Sequence, residues 1–485
     1  MMSAMRVQRL LLLASGLLLV VFGAAVPRAR AGPPAGFVLK TIVRGLTNPT
    51  AFAYAPDGRI FIAEKAGVVK VVEHGRVKEF VDLRSYVNNR DDRGLLSLVL
   101  DPNFAKNGWI YVGFTKELRP RDPDKLVPAG GEVVRLHGFP PTRHTVLDGL
   151  PTPGAWHSIG DLGFDARGRL LVGMGDGSPY WPKDIGPSKR GETGLVALDL
   201  DSPDGKILRV DPATGRGVRD NPFYDASRPD SVRSKVLAYG LRNPFRFYVD
   251  RKSGDVWIGD PGSSFWEELD RIPAKWSVAR GDLDFGWPCY EGGNGHLIKQ
   301  PAMVNVPTCK RRFYSQSHPR VATPAYAYHF TGSAIIAGPI YNGTKYPKDE
   351  RGRLFFSDFV HDTVFTYHDG KVSRFGSPGG WDFPVEFGTT LRGNLAYVSF
   401  TKGQLRELVY VGKPGGSGGG GGGSVWPWIV IAAAGAAVLV GLGLVVGRRR
   451  ARGQRTTTAT LRRGDRVVQR VEVGAVPRRG RPLLR

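Results

Sequence analysis

The chain reads as an all-β protein, a six-bladed β-propeller, followed by one C-terminal transmembrane helix. Three observations carry that reading. Between about residues 37 and 412 the sequence is a series of short apolar runs broken by Gly, Pro and Asp, with no long segment of 3.6-residue period. Within it one unit recurs six times: an apolar strand, a turn with a polar–Gly pair, and a second strand rich in β-branched and aromatic residues. Further on, Val425 to Gly447 is a run of 23 residues without a charge.

The six units follow one another along the chain. The first is Ala51–Tyr54, Asp57-Gly58, Ile60–Ala63, and the second Leu95–Leu100, Asn107-Gly108, Trp109–Phe114. The third is Ile159–Phe164, Arg167-Gly168, Leu170–Gly173; the fourth is Phe245–Val249, Ser253-Gly254, Val256–Gly259. Ile335–Tyr341, Arg351-Gly352, Leu354–Phe356 and then Val385–Thr390, Arg392-Gly393, Leu395–Ser399 complete the set. Further short strands follow most copies, at Val68–Val72, Lys206–Val210, Thr363–Tyr367 and Leu405–Val411. Long inserts are expected at Lys116–Gly154 and Pro273–Thr331. Repeats of this size, each a small antiparallel sheet with one face left uncovered, are the mark of a propeller. A β-sandwich would not produce six copies of one hairpin.

The ends set the expected topology. Arg6 and Arg9, an apolar stretch over 10–25 and Ala29-Arg30-Ala31 have the layout of a signal peptide, assigned to 1–31. The propeller domain is assigned to 32–412 and a Gly-rich linker to 413–424. The uncharged run 425–447 would make roughly 35 Å of helix, enough for a hydrocarbon core of about 30 Å. Trp426 and Trp428 stand at its start and Arg448-Arg449-Arg450 follows, which places the C-terminal side in the cytoplasm. The expected location is therefore the cell membrane, single-pass, with the propeller extracytoplasmic.

Of the net charge of +24, the tail 448–485 carries +11 and the leader +4, leaving +9 for residues 32–447. The tail reads as an unstructured basic segment drawn to anionic lipid. No aromatic residue interleaves its arginines, so no nucleic-acid partner is expected. The two cysteines, Cys289 and Cys309, read as one disulfide in an exported domain, stabilising by roughly 3 kcal/mol.

Residues just before the first strand of every blade should share one face of the disc. In the third unit that residue is His157. With the turn centred between Ala166 and Arg167, cross-strand partners sum to about 333, which sets His157 opposite Asp176. A carboxylate bonded to one imidazole nitrogen makes the other a general base, although a purely structural pair would read the same way. In the fourth unit Arg242-Asn243-Pro244 occupies the equivalent entry, and the turn near Lys252-Ser253 brings Asp260–Ser263 beside it. An Arg–Asn pair suits an anionic, carbonyl-bearing ligand, and turned-in carbonyls with a carboxylate suit calcium; both patterns also occur as plain turn chemistry. Glu267 and Glu268 follow directly, placed either to serve a metal or to cap the next strand. There is no HExxH, no spaced Cys/His set and no dinucleotide glycine fingerprint.

With these residues in view the chain resembles the pyrroloquinoline quinone (PQQ)-dependent sugar dehydrogenases, the glucose/sorbosone or aldose sugar dehydrogenases, over roughly 37–412. The resemblance rests on Leu46-Thr47-Asn48-Pro49, Arg93-Gly94-Leu95-Leu96 with Asp101-Pro102-Asn103-Phe104, and Trp156-His157 with Gly175-Asp176-Gly177. It continues through Gly205-Lys206-Ile207-Leu208-Arg209, Gly240-Leu241-Arg242-Asn243-Pro244, Gly259-Asp260-Pro261-Gly262, Trp266-Glu267-Glu268 and Phe285-Gly286-Trp287-Pro288. It implies His157 as the base, Asp176 as its orienting carboxylate, and Arg242 and Asn243 as the contacts that polarise the quinone. It also implies backbone carbonyls of Gly262 and Ser263 as calcium ligands; Glu268 joins them in the expected metal set from its place just after that loop. A sugar substrate and an external electron acceptor are the implied partners.

Two stretches depart from the family pattern. Phe359-Val360-His361 stands where a cofactor-binding Arg is common, and Ser178-Pro179-Tyr180-Trp181 where a glutamine-bearing loop is common. The cofactor carboxylates are then expected to be held by Lys402 or His361, or not to be held at all. The alternative function is a tethered, non-catalytic propeller that binds a carbohydrate or protein.

Overall fold

A computed structural model describes residues 31–412 apart from 120, 122, 125–128, 155, 178–193, 264–265, 294–296, 318 and 330–332, and the backbone of 458–463 and 466–472. The chain divides into two units, Met1–Pro414 and Gly415–Arg485.

The first unit holds six four-stranded antiparallel sheets. Blade 1 runs Pro49–Tyr54, Ile60–Glu64, Val68–Glu73, Arg76–Asp82; blade 2 runs Leu95–Leu100, Ile110–Thr115, Ala129–His137, Thr142–Thr152. Blade 3 is Ile159–Phe164, Leu170–Met174, Lys206–Val210, Val236–Tyr239, and blade 4 is Arg246–Val249, Val256–Asp260, Glu267–Ile272, Tyr326–Tyr328. Blade 5 is Ile335–Ile340, Leu354–Asp358, Thr363–His368, Lys371–Arg374. Blade 6 is Pro384–Thr389, Leu395–Ser399, Gln404–Tyr410, and its fourth strand is Phe37–Arg44 from the other end of the domain. The first strand of each blade touches the first strand of the next, and that of blade 6 touches that of blade 1, so the ring is closed.

Every hairpin expected from the sequence forms within a residue or two of its predicted limits. The inner strands are buried on both faces, which is why they read as apolar runs and not as alternating ones. Between blades 1 and 2, for example, Phe61, Val69, Leu98 and Val112 are fully or almost fully buried in one cluster, each such side chain contributing about 1.5–3 kcal/mol.

Two expectations are corrected. Lys116–Gly154 is not an insert between blades, because Ala129–His137 and Thr142–Thr152 are the outer strands of blade 2. Pro273–Thr331 is a true excursion, with a two-stranded ribbon at 290–291 and 298–299, but it returns to supply the outermost strand of blade 4. The disulfide Cys289–Cys309 lies within it as expected.

Arg246 closes the middle of the ring. Its Nε donates to Val385 O at 3.0 Å, its Nη2 to Thr50 O and Leu96 O at 2.9 Å each, and its Nη1 to Phe245 O at 3.2 Å. One guanidinium therefore ties blades 6, 1, 2 and 4, with Glu386 at 3.6 Å.

In the second unit, Thr458–Arg463 pairs with Arg466–Glu472 as an antiparallel hairpin. The unstructured reading of the tail is corrected there: Thr458, Thr460, Val467, Val468 and Val471 are β-formers around a Gly-Asp pair. No helix among the described residues is long and apolar enough to cross a membrane. Residues 1–30 of the expected leader 1–31, and the whole expected anchor 425–447, lie outside the described residues.

Candidate active site

Segments entering the first strands and leaving the second strands of the blades converge on a central cavity of about 480 Å³. Its walls combine charged groups with apolar ones. Lys65, Asp91, Asp92, His157, Arg242 and Glu267 line it, alongside Leu96, Phe245, Ile336, Phe359, Val385 and Phe400.

Blade 3 supplies the imidazole. Ile159 pairs with Met174, a sum of 333; the pairs nearer the turn sum to 334, and the bulge between Ile159 and Leu162 moves the register by the one residue that reaches the expected value. Continued outward, the register brings His157 to Asp176, and His157 Nδ1 lies 2.6 Å from Asp176 Oδ1. His157 has φ of +54°, a conformation that non-glycine residues rarely adopt and that tends to persist where function requires it. Gly175 is obligatory beside it, since a Cβ there would sit 2.4 Å from the His157 carbonyl oxygen. The segment leading to His157 is braced by the buried Arg93, whose Nη2 donates to Gly154 O at 2.8 Å.

Blade 4 supplies the guanidinium. Asp260 ends its second strand and accepts the backbone N–H groups of Arg242, at 2.9 Å, and Asn243. Arg242 Nη1 then donates to Pro261 O at 2.6 Å, which sets Pro261, Gly262 and Ser263 beside it at the cavity wall. The two halves are joined directly, because the Asp176 N–H donates to Arg242 O at 2.8 Å. Burial raises the carboxyl of Asp92 above the usual range, opposed by His157, Lys65 and Arg242. Burial also pushes Glu267 up to about 8, against the N–H it accepts from Ile335.

Of the residues expected at the site, His157, Arg242, Asn243, Gly262 and Ser263 line this cavity, with Asp176 behind His157. Glu268 does not. Strand alternation turns Glu267 to the cavity and Glu268 to the opposite face, where it forms a fully buried three-carboxylate group with Asp260 and Asp270. Burial, then neighbouring carboxylates, hold Glu268 and Asp270 well above the carboxylate range. Both Asp270 oxygens lack a hydrogen-bond partner among the described residues. Lys402 is exposed and His361 sits beyond the lining, with its Nδ1 3.4 Å from Ser333 Oγ. The stretch 178–181 lies outside the described residues. Sequence reasoning missed Lys65 and Asp92. Both occupy the strand-end and strand-entry positions that led to Asp176 and His157, in blades 1 and 2.

A larger open groove of about 730 Å³ lies elsewhere, beside Tyr239, Asp284 and Arg312. Two of its three charges are spent on each other, Arg312 Nη2 donating to both Asp284 and Tyr239 OH at 2.9 Å, and the third, Arg320, is exposed. The central cavity brings an imidazole, a guanidinium, an ammonium and carboxylates to one partly apolar space.

Residues 46–370 match the family model for glucose/sorbosone dehydrogenases. The chain belongs to that family. Aldose sugar dehydrogenase YliI of Escherichia coli is 23% identical over 361 residues, covering 71% of this chain and 84% of that protein. Human hedgehog-interacting protein is 28% identical over 250 residues, 46% of this chain but only 33% of the relative. Among solved structures, the PQQ-bound aldose sugar dehydrogenase of Streptomyces coelicolor superposes with a TM-score of 0.56 at 20% identity, covering 78% of this chain and 99% of that one. At that identity the superposition speaks for the fold.

Proposed function

We propose that this family member oxidises an aldose or related sugar to its lactone in the central cavity, with PQQ and calcium, outside the cytoplasm. The supporting observation is the convergence of His157 and Arg242 on one cavity. A volume of about 480 Å³ is ample for a flat tricyclic ligand and falls within the usual range for cofactor sites. Phe245, Phe359 and Phe400 offer apolar faces to such rings, and Arg242 and Lys65 offer cations to its carboxylates.

The quinone, when bound, supplies the two-electron acceptor for the sugar's C1 hydride and is reoxidised by the external acceptor. The protein's part is positional and acid–base. With Nδ1 committed to Asp176, His157 presents Nε2 to take the proton of the anomeric hydroxyl, a contribution of about 10²–10⁴-fold. Arg242 and Asn243 are placed to donate to a quinone carbonyl. Gly262 and Ser263 lie beside them as oxygen donors for calcium. The orphaned Asp270, with Asp260 and Glu268, forms a second oxygen-rich group of the kind a hard cation satisfies. The extracytoplasmic placement is supported by the leader-like 1–31 and the uncharged 425–447.

The test is dye reduction with a panel of aldoses after loading with PQQ and calcium. It is run on purified protein and on intact cells with a membrane-impermeant dye. His157→Ala should abolish turnover and retain the cofactor. Turnover surviving in that variant removes His157 as the base, and reduction seen only after lysis removes the location. The match to hedgehog-interacting protein favours a second reading, a ligand-binding propeller without redox chemistry. No turnover with any sugar and no retained cofactor would select it.

A further inference from the structure

Asp176 has two carboxylate oxygens, and His157 uses one. The other, Oδ2, accepts the indole N–H of Trp287 at 2.8 Å. Trp287 comes from the excursion between the third and fourth strands of blade 4, far from Asp176 in the chain. Its ring also meets the other half of the site, lying 5.6 Å from the Arg242 guanidinium carbon, within cation–π range.

The indole is itself held. Trp287 N donates to Gly240 O at 2.9 Å, two residues ahead of Arg242. Two residues after Trp287, Cys289 is tied by the disulfide to Cys309. On the far side Gly194 packs against the contact, and a Cβ there would stand 2.9 Å from the indole nitrogen and 3.4 Å from Asp176 Oδ2. The residue type at 194 thus keeps the N–H to carboxylate path clear.

We propose that Trp287 is a positioning residue that aligns both halves of the reactive site, fixing the Asp176 carboxylate with its N–H and seating Arg242 with its ring. The kinetic part rests on the dehydrogenase reading; the contact itself does not. A carboxylate held at one oxygen can swing about its last torsion, which has a broad well. A second donor at a fixed place removes that freedom. An indole nitrogen can only donate, so it favours the ionised carboxylate and with it the tautomer that leaves His157 Nε2 as acceptor. Asp92 also faces His157, and Asp204 and Asp260 face Asp176, all three unchanged by loss of the indole. Without the N–H donor the Asp176–His157 pair takes up a proton more readily, so the acid limb of the rate profile moves to higher pH.

The experiment uses the full-length protein. Trp287→Phe keeps an aromatic ring and removes the N–H. Its kcat should fall by about tenfold, the scale of a small misplacement of reacting groups, while KM stays within about twofold. Its acid limb should move upward in pH. Independently of turnover, the indole N–H resonance missing from that variant should shift with pH in the wild type and change in Asp176→Asn. A folded Trp287→Phe protein with unchanged kcat and pH profile overturns the proposal. So does an indole resonance indifferent to both pH and Asp176→Asn, and this readout decides alone if Trp287→Phe does not fold. If the wild type turns over no sugar, the dehydrogenase reading falls while the resonance still tests the contact.

Discussion

Arg242 and Arg246 are four residues apart, both near the middle of the ring, and their surroundings are opposite. Arg246 is 1% exposed and spends its donors on the carbonyls of Val385, Phe245, Thr50 and Leu96, with Glu386 alongside. Arg242 is half-buried, makes one side-chain hydrogen bond among the described residues, to Pro261 O, and lines the cavity. Satisfied donors make a strut; donors left facing a cavity make a recognition site. Burial alone does not separate the two roles, because His157 and Asp176 are also almost wholly buried. What separates them is whether the polar valence is closed by the protein or left for a ligand.

The hardest test of that contrast is Arg246→Met. It strands the carboxylates of Asp161 and Glu386, both raised by burial and both now stabilised by Arg246. Breaking a buried ionic group in this way costs about 3–5 kcal/mol. A carboxylate whose folded value lies above its unfolded one adds stability that is complete below about pH 4 and is lost as pH rises through the folded value. The variant should therefore lose more stability at pH 8 than at pH 5 in scanning calorimetry. Equal losses at the two pH values would mean that Arg246 acts through its carbonyl bonds alone.

The same contrast explains what could be read from the sequence. The Asp176–His157 pair was legible because a hairpin's register follows from its turn to within one residue; the turn-side pairs sum to 334, and the bulge between Ile159 and Leu162 supplies the one-residue shift to 333. The approach of Arg242 to Asp260 was legible for the same reason. Lys65 and Asp92 were within reach of that arithmetic, had it been carried to blades 1 and 2. The carbonyl set around Arg246 was not, since it draws on four blades and depends on ring closure. Nor was the Phe37–Arg44 strand in blade 6, which pairs across nearly the whole domain. Trp287 meets Asp176 only because an irregular excursion folds back, and no local period announces that. The orientation of Glu268 was hidden by adjacency: two consecutive glutamates in a strand face opposite ways, and only the register says which is which.

Asp260, Glu268 and Asp270 provide a third environment, again buried, in which only Asp260 is stabilised by a guanidinium, that of Arg242. If calcium closes that polar valence, chelation should lower the thermal midpoint by roughly 5 °C and added calcium should restore it. Asp270→Asn should blunt the response, because it replaces the one ligand whose two oxygens are otherwise unpartnered. An identical midpoint in chelator and in calcium would leave the group as three protonated acids and remove it from the metal assignment.

The smallest expected effect concerns which cation faces the cofactor carboxylates. Lys65 lines the cavity but donates to Asn89 O at 2.8 Å and to Asn89 Oδ1 at 2.9 Å, so part of its hydrogen-bonding capacity is already closed. Burial lowers its proton affinity, while Asp92, Asp124 and Asp91 raise it. A cation so placed lies between the two arginines in character, neither fully spent nor fully offered. Its replacement in Lys65→Met should weaken PQQ binding by up to about fivefold at low salt, the scale of a partly screened ion pair, and by less at high salt. Lys402→Met should change nothing, because Lys402 is exposed and does not reach the lining. Calorimetric titration of both variants separates them: a loss in Lys402→Met with none in Lys65→Met would mean that proximity to the cavity, the criterion used for every residue of this site, is the wrong guide on the blade 6 side.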